Sequence, residues 1–219
     1  MTRLGTTQSK GAQMGNDYPL TFSVNYPDRA LNRLTTFLRI FTVIPIAIIL
    51  AAVSHVTVGD AAAEATPYVT AGGFIFLAPL LMLLFRKKYP AWWAEWNREL
   101  LRFGNRVYIY ALLMDDTYPS TDEQQAVRLD FPNPDGERLS RGLPLVKWFL
   151  AIPHYILLLF LHIASFFVTI FAWFAILFTG RYPESLFRFV EGVIRWHNRV
   201  VAYALLLVTD RYPPFSLEP

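Results

Sequence analysis

The chain contains no cysteine among its 219 residues. This absence excludes disulfide bonds, a thiol nucleophile and thiolate metal sites, and it leaves the redox compartment open. Charged residues are also scarce, at 17% of the chain against about 25% in a typical soluble domain. Hydrophobic residues make up 54% and aromatic residues 16%. A composition this apolar is atypical of a soluble protein and indicates a membrane protein.

Two long stretches lack basic residues, and one of them lacks acidic residues as well. No Lys or Arg occurs from Ile40 to Phe85, and no charged residue of either sign occurs from Trp148 to Gly180. Because a helix needs about 20 apolar residues to cross the hydrocarbon of a bilayer, these stretches predict membrane-spanning segments. The first 17 residues are polar, so we expect a flexible tail over 1–17 with no signal peptide.

An internal repeat organises the chain. Residues 84–114 align without a gap with residues 177–207, and the pattern NRVxxYALL occurs in both copies. Upstream, residues 31–45 match residues 139–153, so Pro45 and Pro153 occupy matching positions, where we expect them to kink equivalent helices. The sequence thus predicts a mainly α membrane protein of two tandem repeats, 18–120 and 121–219.

Each repeat is predicted to contain a short strand, a transmembrane helical hairpin and an amphipathic helix. The alternating segments LTFSV and VRLDF predict the strands, which we expect to pair in one small sheet. Apolar runs predict spans at 37–53 and 69–85 in repeat one. In repeat two, the run 145–178 would form a helix of about 51 Å, too long for one crossing. We therefore predict a hairpin turning near His162–Ser165, and four transmembrane helices in total.

Basic residues set the predicted orientation. They flank both predicted hairpins, whereas the loop between the first two spans contains neither Lys nor Arg. By the positive-inside rule, both hairpins enter and leave on the cytoplasmic side, and both termini are cytoplasmic. The flanking residues are Arg29, Arg33, Arg39, Arg86, Lys87, Lys88, Arg138, Arg141, Lys147, Arg181, Arg188 and Arg195. The net charge of +3 is accounted for by these flanks, so we expect no nucleic-acid partner.

Amphipathic helices are predicted over 91–114 and 184–207. Their apolar residues recur every three or four positions, with arginines on the opposite side. Two arrangements stay open at this point. The helices lie on an anionic leaflet, which suits aromatic and Arg side chains, or their apolar faces pack on the other repeat.

Candidate binding residues lie in two repeated motifs. A phosphate-binding loop would need several glycines, and LFTGRYP has one. We therefore favour a basic side chain that snorkels to the membrane surface and a Tyr that lies at the level of the lipid headgroups. In NRVxxYALL, the Asn-Arg pair either binds a lipid headgroup or has a structural role. We favour the structural role, in which each asparagine hydrogen-bonds to the backbone and each arginine snorkels to the membrane surface. The candidate lipid- or partner-binding residues are Arg106, Arg181, Tyr182, Arg195 and Arg199, and the candidate structural residues are Pro45, Pro153, Asn105 and Asn198.

Catalytic patterns are missing from the sequence. There is no HExxH motif, no Ser-His-Asp order and no acid within the charge-free spans. His154 and His162 lie eight residues apart, about 12 Å along a helix, which is too far to share a metal. We therefore predict no enzyme, no metal and no cofactor, with haem between histidines of different helices as the remaining alternative.

A resemblance to a known family rests on three segments of repeat two. LPLVKWFLAIPHYILL, AWFAILFTGRYPESLFRFVEGVIRW and NRVVAYALLLVTDRYPPFSL resemble the bacterial membrane family called domain of unknown function 4389. Repeat one resembles it more weakly and departs from it at FRKKYPAWW. The resemblance implies a bacterial inner-membrane protein and carries over no catalytic residue.

Two functions follow as hypotheses, ahead of an enzyme. The first is a non-enzymatic membrane scaffold or accessory subunit whose cytoplasmic face binds lipid, another membrane protein or a second copy of the chain. The alternative is a small transporter or lipid-handling protein with its site between the two repeats.

Overall fold

The computed structural model describes residues 18–54 and 77–219. The predicted tail, the loop after the first span and the start of the span at 69–85 lie outside these residues. The elements in chain order are β1 (Thr21–Val24), α1 (Arg33–Phe37), α2 (Arg39–Ser54), α3 (Leu77–Arg86), α4 (Ala91–Ala111), β2 (Val127–Asp130), α5 (Leu143–Leu150), α6 (Ile152–Thr179) and α7 (Glu184–Ala204).

The two short strands form one antiparallel sheet. Phe22 pairs with Leu129, and Val24 pairs with Val127. All four of these side chains are buried, whereas the alternate residues face outward, because successive side chains on a strand point to opposite sides. The prediction that LTFSV and VRLDF are strands that pair is confirmed.

Helices α4 and α7 occupy most of the two predicted amphipathic segments, and each begins directly after the proline of a Tyr-Pro pair. Proline is well suited to this position, since the first turn of a helix leaves its N–H groups unbonded. Most of α7 is buried, including the charged Glu191 and Arg195. Of the two arrangements left open by the sequence, this burial supports packing of α7 within the protein.

The predicted hairpin in repeat two is wrong, because α6 is continuous through His162 and Ser165. No glycine or proline lies between Pro153 and Gly180 to end the helix. The helix is interrupted instead at Ala151, just before Pro153, where the proline ring clashes with the preceding turn. Pro153 therefore lies in the first turn of α6, whereas Pro45 lies inside α2.

Among the described residues, one helical stretch is long and apolar enough to cross a membrane, namely Leu143–Thr179 with 37 residues. Arg39–Val53 and Leu77–Arg86 are apolar helices but shorter. The structure therefore supports one candidate span and does not support four. The outer side of α6 exposes large apolar side chains, such as Phe160, Phe171 and Phe178.

Packing places α4 and α7 between the sheet and the apolar helices. α4 contacts β2 and α2, while α7 contacts β1 and α6. The main core cluster includes Phe22 and Leu129 from the sheet, Ile109 from α4, Ile194 from α7 and Ile176 from α6. This arrangement leaves a space where α2, α4, α6 and α7 come together.

Substitution of Gly136 tests how the loop before α5 packs against the turn before α4. A Cβ atom at Gly136 would lie 2.8 Å from both the Lys87 carbonyl oxygen and the Tyr89 backbone nitrogen. Gly136→Ala should therefore lower the free energy of unfolding by about 1 to 3 kcal/mol, measured by denaturation in detergent. Gly142→Ala is the matched control, since no atom lies within 4 Å of its Cβ position. Equal stability of the two variants would contradict this packing.

Candidate functional site

A cavity of about 740 Å³ lies between α2, α4, α6 and α7; we call it the central cleft. Its lining is almost wholly apolar, and in the part of the chain that the structure describes no charged side chain belongs to it. α2 forms one wall of the cleft, and His162 of α6 forms part of another wall. The lining residues used below are Leu50 from α2, Gly104, Asn105 and Tyr108 from α4, and His197, Asn198 and Val201 from α7.

Two asparagines bond to each other at the point where α4 and α7 meet. The Asn105 amide nitrogen donates to the Asn198 side-chain oxygen at 3.0 Å, and the Asn198 amide nitrogen donates back at 2.8 Å. Asn105 also donates to the Leu101 carbonyl oxygen at 2.7 Å. An amide carries both donors and an acceptor, so the two side chains satisfy each other in a place where water is excluded. They join the two helices by a reciprocal pair of hydrogen bonds.

His162 and His197 meet edge to face inside the cleft, with ring centroids 5.2 Å apart. Nδ1 of His162 lies 2.7 Å from the Leu158 carbonyl oxygen. A carbonyl can only accept, so Nδ1 donates this hydrogen bond, and Nε2 of the neutral ring is an acceptor. The rings contact each other directly, so in this arrangement no haem plane fits between them.

His197 is neutral at pH 7. Its side chain is exposed to the open space of the cleft, although many protein atoms lie around the ring. Burial, and then the neighbouring His162, lower the pKa of His197 to about 4. Burial also raises the pKa of Tyr108, which lies beside His162. The cleft therefore offers uncharged hydrogen-bonding groups within an apolar lining.

His154 lies outside the central cleft and has a packing environment of its own. Its side chain is fully buried, and its Nδ1 accepts a hydrogen bond from Trp196 Nε1 at 3.0 Å. Its ring stacks on Phe215, with centroids 4.0 Å apart. Among the described residues, no group of three His, Asp or Glu side chains has a spacing that could hold a metal ion.

Four of the five candidate lipid- or partner-binding residues lie inside the protein. Arg106, Tyr182, Arg195 and Arg199 are buried, and Arg181 is exposed. Arg106, Arg195 and Arg199 are largely enclosed by the fold, but each also lines a smaller pocket. Of the five, Arg181 has the exposed side chain.

The expectation that Arg106 and Arg199 snorkel is wrong. Arg106 donates to the Ser120 and Thr121 carbonyl oxygens at 3.0 and 3.2 Å, and Arg199 donates to the Ser216 carbonyl oxygen at 3.4 Å. The segments after α4 and α7 fold back over these helices and bring carbonyl groups to the guanidinium groups. Arg199→Ala is therefore expected to lower stability, contrary to what snorkelling would imply.

Arg195 is held by three partners. It donates to the Phe22 carbonyl oxygen at 2.9 Å and to the Leu217 carbonyl oxygen at 2.7 Å, and it pairs with Glu191 at 3.0 Å. These contacts tie α7 to β1 and to the C-terminal segment. The role of Arg195 in this structure is to connect elements of the fold.

Sequence reasoning missed the central cleft and its residues Gly104, Tyr108 and His197. The available signal was weak, because a Gly, a Tyr and a His on amphipathic helices are ordinary residues. Their convergence depends on how α4 and α7 cross, which no local pattern specifies.

Comparison with protein families gives one match. Residues 144–216 match the model of the family described as Domain of unknown function (DUF4389), and this confirms the resemblance seen in repeat two. The family description assigns no activity. No curated protein and no solved structure matches the chain.

The asparagine pair can be tested by a double-mutant cycle. Asn105→Ala and Asn198→Ala should each lower the free energy of unfolding by about 1 to 3 kcal/mol, because each leaves a buried amide without its partner. The double variant should lose less than the sum of the two, since either single change already breaks the pair. Thermal unfolding in detergent, with and without anionic lipid, measures both quantities. Additive losses, or a loss that appears only with anionic lipid, would contradict the structural role.

The lowered pKa of His197 predicts that the stability of the protein depends on pH. In the unfolded chain this side chain binds its proton near its ordinary pKa of 6.5, whereas in the folded protein it does so only near 4. As the pH falls from 6.5 towards 4, the unfolded state is protonated first, so this group destabilises the fold. The wild type should therefore lose more thermal stability over this range than His197→Gln. Parallel losses of Tm in the two proteins would show that His197 does not contribute.

Proposed function

We propose that the protein is a non-enzymatic membrane protein that binds the hydrocarbon part of one amphiphilic molecule, such as a lipid acyl chain, in the central cleft. The observation that carries this proposal is the cleft itself, an apolar space of about 740 Å³. Small-molecule sites typically have volumes of about 300–1,000 Å³, with apolar linings and a few placed polar groups. Among the two hypotheses from the sequence, the cleft favours lipid handling.

The polar groups of the cleft indicate what kind of head such a molecule carries. Asn105 and Asn198 are occupied by each other. The other polar side chains of the lining, which are left to recognise a ligand, are Asn97, Tyr108, His162 and His197. The pKa of His197 is lowered, and among the described residues no Asp, Glu, Lys or Arg lines the cleft. A ligand with an uncharged hydroxyl, ester or amide group fits this chemistry, because a charged head would be left without a counter-ion.

The surface of the protein supports a membrane location. Only 17% of the most apolar window of Leu143–Thr179 is buried, whereas the core helix of a soluble protein is mostly buried. α2 adds further exposed apolar side chains, including Phe41, Ile44 and Ile48. Water disfavours an exposed face of this size. Together with the basic flanks, it supports the cytoplasmic side of a bacterial inner membrane.

Two tandem repeats would explain why the cleft lies where it does. Asn105 and Asn198 are equivalent in the sequence alignment and bond to each other. Arg102 and Arg195 are also equivalent; Arg102 donates to the Leu129 carbonyl oxygen of β2 and Arg195 donates to the Phe22 carbonyl oxygen of β1. Each repeat would then place its strand on the helix of the other, with the cleft between them.

A second candidate function is an accessory subunit that contacts another membrane protein or a second copy of the chain. Trp92 and Trp96 near the start of α4 are 66% and 40% exposed. Arg181 is also exposed. Aromatic and Arg side chains are enriched where protein partners bind. Co-purification of a stoichiometric partner after mild detergent extraction would favour this role over lipid handling.

Gly104 provides a test of ligand binding. A Cβ atom at this position points towards Leu50, whose Cδ1 would lie 3.9 Å away. Gly104→Phe should fill part of the cleft and weaken binding of an uncharged, NBD-labelled monoacylglycerol at least tenfold, measured by fluorescence in detergent micelles. Gly104→Ala is the matched control, because one methyl group fits at that distance and leaves the cleft open. It should bind the probe as the wild type does.

Two results would count against the proposal. One is equal binding of the probe by the wild type and Gly104→Phe. The other is the absence of any co-purified lipid from the wild type in native mass spectrometry, combined with no measurable binding of the probe.

A further inference from the structure

Helix α6 is held to the protein along its whole length by one face. Its buried side chains include His154, Leu158, Ser165, Ala172 and Ile176, which recur at intervals of four or seven residues and therefore share one stripe. The opposite face is exposed and apolar from one end to the other. A helix of 28 residues has a length of about 42 Å.

Helix α7 lies under α6 on this buried side. Near the start of α6, His154 bonds to Trp196, and further along His162 contacts His197. α6 ends at Thr179 and α7 begins at Glu184, so the start of α7 lies next to the end of α6. α7 thus runs back along α6, opposite to it in direction.

The sheet lies on the other side of α7. The Val24 N–H donates to the Glu191 carboxylate at 3.0 Å, and Arg195 donates to the Phe22 carbonyl oxygen at 2.9 Å. Glu191 and Arg195 are four residues apart and share a face, which is turned well away from the face of Trp196 and Val200. Glu191 lies between the start of α7, which follows the end of α6 after a short turn, and Trp196, which bonds to His154 near the start of α6. The sheet therefore lies alongside α6 and not beyond either of its ends.

A transmembrane orientation of α6 would carry the sheet into the bilayer. Within residues 18–54 and 77–219 the sheet has two strands and thus two open edges, which do not occur against hydrocarbon because lipid cannot bond the free backbone groups. Its outer face also exposes Arg128 and Asp130. A charged side chain at the bilayer centre costs about 2.5 to 3.5 kcal/mol on insertion scales.

We infer that α6 lies in the plane of the membrane, with its apolar face embedded in one leaflet and the sheet in the aqueous phase. The partner for this surface is the acyl-chain layer of a single leaflet, which suits a helix whose one face is apolar along its full length. The inference rests on the proposed membrane location, but it does not depend on a ligand in the central cleft.

This orientation also resolves the conflict between the charges and the continuous helix. Arg138 and Arg141 precede α5, and Arg181 and Arg188 follow α6. The positive-inside rule places both groups on the cytoplasmic side, which for a crossing helix would require a hairpin. A helix that lies in the cytoplasmic leaflet keeps both groups on that side without a turn.

The absence of cysteine allows a clean labelling test. Arg138→Cys and Arg181→Cys each place one thiol at an exposed position on either side of the α5–α6 stretch; the Arg138 side chain is 89% exposed. In inside-out membrane vesicles, a membrane-impermeant maleimide should label both variants, and in right-side-out vesicles it should label neither. The wild type is the unlabelled control. Labelling of the two variants from opposite sides would overturn the inference and establish a crossing helix.

A depth measurement gives a second, independent readout. Spin labels at positions 160, 167 and 178 lie on the exposed face of α6, where the native side chains are 63%, 55% and 78% exposed. In a leaflet-embedded helix the three labels should have bilayer depths within a few Å of one another. In a crossing helix, positions 160 and 178 would differ in depth by about 27 Å, which would refute the inference.

A result that contradicts the membrane location differs from a result that contradicts the orientation of α6. Wild-type protein that is released from membranes by carbonate washing would contradict the proposed function before any orientation is measured. Protein that stays with the membrane but labels from both sides would contradict only the in-plane orientation.

Discussion

The reciprocal hydrogen bonds between Asn105 and Asn198 are the contact on which the rest of the structure depends. A buried amide without a partner is costly, so each asparagine fixes the position of the other and, with it, the crossing of α4 and α7. That crossing decides where the two strands meet and where α2 and α6 pack. The central cleft forms at the same place because the flanking helices do not close over the asparagine pair.

Burial of the arginines follows from the same arrangement. Once α4 and α7 are fixed, Arg102 and Arg195 reach the carbonyl oxygens of β2 and β1, and Arg106 and Arg199 reach the segments that follow their helices. A guanidinium group has five donors, which suits it to join several backbone segments at once. These residues therefore act as connectors within the fold.

The structure separates an apolar side from a polar side. The outer faces of α2 and α6 carry large apolar side chains, and the sheet carries Arg128 and Asp130 on its outer face. α4 and α7 lie between these two sides and contain most of the buried charges. A protein built this way is consistent with the proposed location at the boundary between a leaflet and water.

The sequence by itself determined the elements that depend on local pattern. Alternation identified both strands, three- and four-residue periodicity identified α4 and α7, and long apolar runs identified the helices α2 and α6. Only the tertiary structure decided that α6 continues through His162, that the NRV arginines are buried, and that His162 and His197 converge. These features depend on contacts between residues far apart in the chain, such as Asn105 and Asn198, which are separated by 93 positions in the sequence. Periodicity defines which face of a helix is apolar, but it does not define whether lipid or another part of the protein covers that face.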